Sequence, residues 1–212
     1  MLEHSEGTAN CDFSPIKRQL AEGIHEITDE LKESLEVLDD ANDCLLGKLE
    51  DIKEKFNIIE AKAASFYLNC YLSSFTDKYS DLAVAVQRLS HHRHGALIVV
   101  ERLDPVELLI QKGMPVGAAL TPALLEAIFY PGNPLHDGAV LIRGNLIVSA
   151  ANVLPLTSGV IIGKKVGTRH RAAPGLTERS DALVLVVSEE TGKVSFALKG
   201  KLHPILTAPV VH

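Results

Sequence analysis

Two short stretches hold the residue types that do chemistry. His136-Asp137-Gly138-Ala139 opens an apolar run, Val140-Leu141-Ile142, and some thirty residues later comes Gly167-Thr168-Arg169-His170-Arg171. The first sets a carboxylate at the mouth of a predicted strand, beside a glycine that lets a ligand approach the backbone. The second packs two guanidinium groups, an imidazole, a hydroxyl and a glycine into five positions. A phosphate ester is bound by such a set, through backbone N–H groups, forked arginine donors and a small turn. A carboxylate facing that cluster points to a bound divalent metal, Mn²⁺ or Mg²⁺, or to a hydroxyl that must lose its proton.

Each motif has a plainer reading. An Asp-Gly pair is commonly a turn, and His136 beside it is as readily a hydrogen-bonded surface residue as a metal ligand. A basic helix start can simply make surface ion pairs. Thr168 is placed to cap a helix, leaving the next N–H groups for an anion. The side chains of Arg169 and Arg171 alternate, so one can grip phosphate while the other pins the loop. Pro174 removes the N–H that would bond back to His170, which predicts a helix of only one or two turns. Ser188-Glu189-Glu190 sits at a predicted strand end, where α/β sheets bind ligands, although a hairpin turn has the same composition. Neither a Walker-type Gly-Lys-Ser/Thr loop nor G-x-G-x-x-G occurs.

The elements that must position these residues can be read from periodicity. Residues 1–13 show no pattern. Ser14-Pro15 starts a helix whose apolar stripe is Ile16, Leu20, Ile24, Ile27, Leu31, Leu35 and Leu38. Asp39 to Asn42 reads as a turn, with Asn42 or Asp43 capping a second helix. That helix carries a heptad seam of Leu45, Leu49, Ile52, Phe56, Ile59, Ala63 and Phe66, so a helical hairpin is expected. The stripe slips phase around Ser65–Asn69, which places a domain boundary near residues 60–66. The expected domains are 1–62, helical, and 63–212.

A helix from about 66 to 90 opens the second domain, with Gly95 as its stop. His91, His92 and His94 read as a solvated helix end rather than a metal site. Ala96–Val100 is a buried strand and Thr121–Phe129 a helix with proline at its first position. Ala139–Arg143 and Leu146–Ala151 flank Gly144-Asn145 as a hairpin, and Ala182–Val187 pairs with Val194–Leu198 as another. Pro204–His212 is edge or loop. The fold class is α/β: a mixed central sheet flanked by helices, preceded by an N-terminal α-helical hairpin.

Composition sets the outer limits. The chain has 212 residues, 46% apolar, enough for a real core, and without Trp that core must be Leu, Ile, Val and Ala. Cys11, Cys44 and Cys70 are odd in number and widely spaced, arguing for a reducing compartment and against a disulfide framework or zinc site. No signal core and no membrane-length apolar run is present, so a cytoplasmic protein with no membrane attachment is expected. Residues 1–60 hold 16 acids against 6 bases, whereas residues 61–212 hold 11 acids against 15 bases. The basic second part suits an anionic ligand.

In order and spacing, HDGAVLI, LPL, GTRHRAA and VVSEETGKVSFA resemble the diadenylate cyclase family over about residues 66–200. The resemblance implies condensation of two ATP into cyclic di-AMP with release of two pyrophosphates. It implies that Asp137 helps activate the ribose 3′-hydroxyl and meets a divalent metal, Mn²⁺ or Mg²⁺, with His136 as a further ligand. Gly138 and Ala139 would let the nucleotide lie on the backbone, and Leu154 would cover the adenine. Gly167, Thr168, Arg169, His170 and Arg171 would hold the triphosphate, with Ser188, Glu189 and Glu190 nearby. Two ATP sites must face each other across a two-fold axis, so the partner is a second copy, in a hexamer or other multimer of dimers. Nothing after the cyclase domain suggests nucleic-acid binding. The acidic two-helix N-terminus looks like the sporulation-associated type from bacilli, in which those helices restrain the enzyme. The alternative is a non-catalytic module that binds ATP or a cyclic dinucleotide.

Overall fold

The computed structural model describes residues 14–36, 45–159 and 167–206. They fall into two compact units, one ending at Tyr67 and one beginning at Leu68. Residues 1–13, the expected turn at 39–42 and its cap at Asn42 or Asp43 lie outside the described residues.

In the first unit, helix α1 (Ser14–Glu36) runs against the first part of α2 (Leu45–Ser73). The two are antiparallel: Glu30 pairs with Lys55, and Gly23 sits where a Cβ would meet the Ile59 side chain at 2.6 Å. The expected hairpin is therefore present. Its apolar stripe is only partly covered, because Ile24, Leu31 and Leu35 of α1 and Leu49 and Phe56 of α2 are exposed.

The phase slip near residue 65 does not break the helix. α2 continues to Ser73, and the buried positions move to Ala61, Ala64, Leu68 and Leu72. A slip in an apolar stripe turns the buried face around the axis. It leaves the i to i−4 hydrogen bonds intact, and no Gly or Pro lies here to interrupt them. The helix ends where Phe75 and Thr76 donate their N–H groups to the Leu72 carbonyl. The Thr76 hydroxyl then accepts from the Lys78 N–H at 3.0 Å and bonds Asn145 at 2.9 Å, turning the chain into α3 (Tyr79–His92).

The second unit is built on one mixed sheet of seven strands, in the order β2-β4-β3-β1-β5-β6-β7. The strands are β1 (Ala96–Val100), β2 (Met114–Ala119), β3 (Ala139–Arg143), β4 (Leu146–Asn152), β5 (Leu183–Val187), β6 (Val194–Leu198) and β7 (Lys201–Ile205). Among the described residues only β1 and β3 are parallel, and the other pairings are antiparallel. Both expected hairpins are present as β3–β4 and β5–β6. The edge strand β2 was not anticipated, and of β7 only the end, from Pro204, falls in the tail read as edge or loop. β2 is largely exposed and, with Pro115, Gly117 and two alanines, has the composition of a loop, while β7 is mostly half-buried.

Alternation along the central strands makes two apolar faces. Leu97, Val99, Leu141, Val184 and Val186 pack with Ala172, Ala173 and Leu176 of α5 (Thr168–Thr177). The intervening Ile98, Val100, Val140, Ile142 and Leu185 are equally buried on the opposite face, where α3 lies against β5 and against α4 (Pro122–Ile128). At about 25 cal/mol per Å², burial of this many branched side chains is what holds the sheet. α4 starts as expected, with Pro122 at its first position and the Thr121 hydroxyl accepting from the Leu124 N–H at 3.3 Å. No described helix is long and apolar enough to cross a membrane.

Candidate active site

The register of the sheet brings the separate motifs to one end. In the parallel pair, Ile98 lies beside Val140. Both strands run the same way from there, so Gly95 ahead of β1 and residues 136–138 ahead of β3 enter the sheet at the same end. β5 runs the other way with Val187 beside Ala96, so Ser188-Glu189-Glu190 leaves the sheet at the same end. β4 finishes there too, Asn152 opposite Ala139. β4 and β5 reach this end with their carboxyl ends and β1 and β3 with their amino ends, because the sheet is mixed.

α5 points its first turn at this place. Gly167, in extended conformation (φ −61°, ψ 163°), is its N-cap, and no side chain caps it. Thr168 is therefore the first helical residue rather than the cap, and its exposed hydroxyl and the leading N–H groups remain for a ligand. The Gly167 carbonyl takes the N–H groups of His170 and Arg171 at 3.1 and 3.3 Å. The helix is longer than Pro174 suggested, ten residues to Thr177. Burial of Ala172 through Thr177 outweighs the one hydrogen bond that Pro174 forgoes. Gly175 admits the backbone of Pro155, Leu156 and Thr157, and the Thr157 N–H donates to the Arg171 carbonyl at 3.0 Å.

The two arginines have different tasks. Arg169 is largely covered and its Nη1 donates to Glu189 Oε2 at 2.9 Å, with the Glu189 side chain mostly exposed. Arg171 is exposed and forms no ion pair among the described residues. Half-buried His170 is held below the usual imidazole range, first by burial and then by Arg169, with Glu190 pulling the other way. It is a neutral ring at pH 7, a hydrogen-bonding group more than a charge.

At the strand mouth Asp137 is exposed. Gly138 has φ +121°, and a Cβ there would meet the Ala151 carbonyl carbon and the Asn152 carbonyl oxygen, each at 2.8 Å. The close approach seen at Gly138 is that of its own hairpin. Ala151 contributes by holding φ +55°, a left-handed turn that bends the end of β4. The buried Asn152 side chain locks the joint. Its amide donates to the Ala139 carbonyl at 2.7 Å and its oxygen accepts from the Gly113 N–H at 3.0 Å and the Ser149 hydroxyl at 2.9 Å. Sequence reasoning passed over Asn152, since nothing local distinguishes it from a strand-end asparagine.

Other candidates fall as follows. Ala139 is buried, so only its backbone is available to a ligand. Leu154 is turned into the core beside α5, while its neighbours Val153 and Leu156 are exposed. The Ser188 hydroxyl accepts from the Thr191 N–H at 3.3 Å and shapes the turn that carries Glu189 and Glu190. His91 meets His92 edge to face, the His92 and His94 rings are tilted against each other, and His94 meets Tyr130 edge to face at 5.6 Å. His92 and His94 border a groove of about 1020 Å³ that Arg88, Tyr130 and Asn133 also line.

At the mouth, the exposed Asp137 carboxylate is an oxygen donor of the kind a hard divalent cation takes. His136 Nδ1 lies 2.5 Å from the Asn133 carbonyl oxygen, so Nδ1 carries the proton and Nε2 is left for a ligand. A ring nitrogen tied to a backbone carbonyl is the usual support of a metal-binding imidazole. Among the described residues no group of three His, Cys, Asp or Glu could hold a metal. An ion here would draw on Asp137, His136 and phosphate oxygens of the ligand, as Mg²⁺ commonly does in phosphoryl-transfer sites.

Comparison with known proteins agrees with this geometry. Residues 83–202 match the family model described as DisA bacterial checkpoint controller nucleotide-binding, and residues 8–75 match that of the N-terminal region of diadenylate cyclase CdaS. The chain is 52% identical to the diadenylate cyclase CdaS of Bacillus thuringiensis over 90% of its length and 94% of the relative's. It is 53% identical to the cyclic di-AMP synthase CdaS of Bacillus subtilis, covering 82% of this chain and 83% of that one. A Bacillus cereus crystal structure, titled a hypothetical membrane spanning protein, superposes with a TM-score of 0.72 at 51% identity, covering 91% of this chain and 95% of that one. With a carboxylate mouth and a cationic helix start at one sheet end, and with similarity that runs through both units, the chain belongs to the diadenylate cyclase family.

Proposed function

We propose that the protein condenses two ATP into cyclic di-AMP and two pyrophosphates, at a site formed when two copies face each other. The observation that supports this most is the meeting of Asp137, the open first turn of α5 and the Ser188–Glu190 turn at one end of the sheet. The first turn of α5 and Arg171 hold the triphosphate, with Arg169 and His170 bonding or shaping the loop around it. Asp137 orients the ribose 3′-hydroxyl and accepts its proton. Each 3′-oxygen attacks the α-phosphorus of the ATP on the other copy, forming one P–O bond and releasing pyrophosphate as another breaks. The two attacks close the ring. Asp137 and His136 would hold Mn²⁺ or Mg²⁺, which neutralises charge building on the phosphates.

One copy cannot present both nucleotides, so the working unit is a dimer within a larger homo-oligomer. The exposed apolar stripe of the α1–α2 hairpin, Ile24, Leu31, Leu35, Leu49 and Phe56, favours a role for residues 1–62 in that assembly and in restraining it, with 63–212 as the catalytic part. The test is incubation of purified protein with ATP and Mn²⁺ or Mg²⁺, scored for cyclic di-AMP by mass spectrometry. Asp137→Asn should cost at least about 10²-fold in product formation. Undiminished activity removes the role given to Asp137. ATP binding without any product identifies a binding module instead.

A further inference from the structure

Gly95 is a glycine without a backbone reason. Helix α3 is stopped two residues earlier, by Arg93 in the left-handed conformation (φ +53°), with the His94 N–H returning to the Leu89 carbonyl at 2.9 Å. Gly95 itself is not among the residues of positive φ. The sequence reading of it as the helix stop therefore fails, and its backbone would accept any small residue. What it lacks room for is a side chain. A Cβ built there would strike the Arg169 guanidinium at Nη1 and would lie 2.8 Å from Cζ and 3.0 Å from the Glu189 Cβ.

We infer that Gly95 is a positioning residue: its missing side chain is the slot in which the Arg169 guanidinium lies, between the start of β1 and Glu189. The inference rests on the cyclase reading for its consequence, but not for the slot. The geometry has two walls. Behind the guanidinium is bare backbone at Gly95, and beside it is the Glu189 carboxylate at 2.9 Å. A guanidinium held between two such walls loses little further freedom when a ligand arrives, which is the advantage of a planar, preorganised fork. The slot also separates the two arginines of the motif, holding Arg169 at the strand ends while Arg171 stays open to solvent.

The atoms that an alanine at 95 would displace are the far end of a flexible side chain. Gly95→Ala should thus leave the fold standing, with a thermal midpoint unchanged or slightly raised through the stiffer unfolded chain. It should weaken binding of a non-hydrolysable ATP analogue by the same factor as Arg169→Ala, about tenfold to a hundredfold for a lost charge-assisted contact. The double variant should bind no worse than either single one, because both remove the same group. Unchanged affinity in Gly95→Ala, losses that multiply in the double variant, or a Gly95→Ala chain that fails to fold each overturn the slot. The Arg169 Nε–H signal in nitrogen-15 spectra without nucleotide is an independent readout: Gly95→Ala should shift it, and an unmoved signal also overturns the inference. A wild-type chain that binds no analogue while that signal does shift would count against the cyclase reading and leave the slot standing.

Discussion

Asn152 allows the joint behind Asp137 to be tested quantitatively. It is 1% exposed and uses both ends of its amide: one donor on the Ala139 carbonyl, one oxygen shared by the Gly113 N–H and the Ser149 hydroxyl. Truncation to alanine leaves the buried Ala139 carbonyl without its side-chain donor, while half-buried Gly113 and the rotatable Ser149 can recover part of their loss. An unmade buried hydrogen bond costs about 1–3 kcal/mol, and the rest adds about 1 kcal/mol, so Asn152→Ala should lose roughly 2–4 kcal/mol. In a chain of this size that is a fall of roughly 5–15 °C in thermal midpoint, read by calorimetry or circular dichroism. Asn152→Asp sharpens the test. It keeps the two acceptor contacts but turns a donor into an oxygen facing the Ala139 carbonyl, which only a protonated carboxyl can satisfy. Its folded pKa should therefore rise above the ordinary value of about 3.9. A group that binds its proton more tightly when folded loses stability as pH rises, here from about pH 4 upward, so the aspartate variant should fall progressively behind wild type toward pH 7. A midpoint within about 2 °C of wild type for Asn152→Ala, or a pH-independent deficit for Asn152→Asp, refutes the reasoning.

Three further outcomes follow from the same geometry. Gly138→Ala combines a φ of +121° with backbone contacts at 2.8 Å and should destabilise by about 2–5 kcal/mol, whereas Gly132→Ala, at φ +92° with nothing within 4 Å, should lose only the strain; denaturant titration compares them, and equal losses would deny the crowding. His170 has a folded pKa depressed by burial and by Arg169, so the unfolded chain takes up its proton first as pH falls below about 6.5; wild type should lose stability there relative to His170→Gln, and parallel pH curves would contradict it. Removal of residues 1–62 should raise specific cyclase activity if those helices restrain assembly; an inactive or insoluble remainder would make them structural support.

Much of this protein was legible without a structure, and the reasons are local. Gly144-Asn145 between alternating strands, Thr121-Pro122 before an apolar run, and paired heptad stripes each encode one element through short-range backbone preference. The candidate residues at 167–171 stood out because so dense a local run of phosphate-type donors is rare. What went unseen depends on contacts between distant segments. β2 and β7 are strands only because β4 and β6 offer them hydrogen bonds. The slip near residue 65 looked like a break because periodicity reports which face is covered, whereas helix continuity depends on the backbone.

The sequence by itself determined the fold class, the two chemical motifs and the family to which they belong, since all of these reside in residue identity and short spacing. Only the tertiary structure decided that Gly95, Arg169 and Glu189 stand side by side. That juxtaposition comes from the antiparallel β1–β5 pairing and from α5 packed on the sheet, neither of which is a local property of the chain. It also decided why two glycines are glycine: at 138 the chain's own hairpin presses against the backbone, and at 95 an arginine seventy-four residues away needs the room.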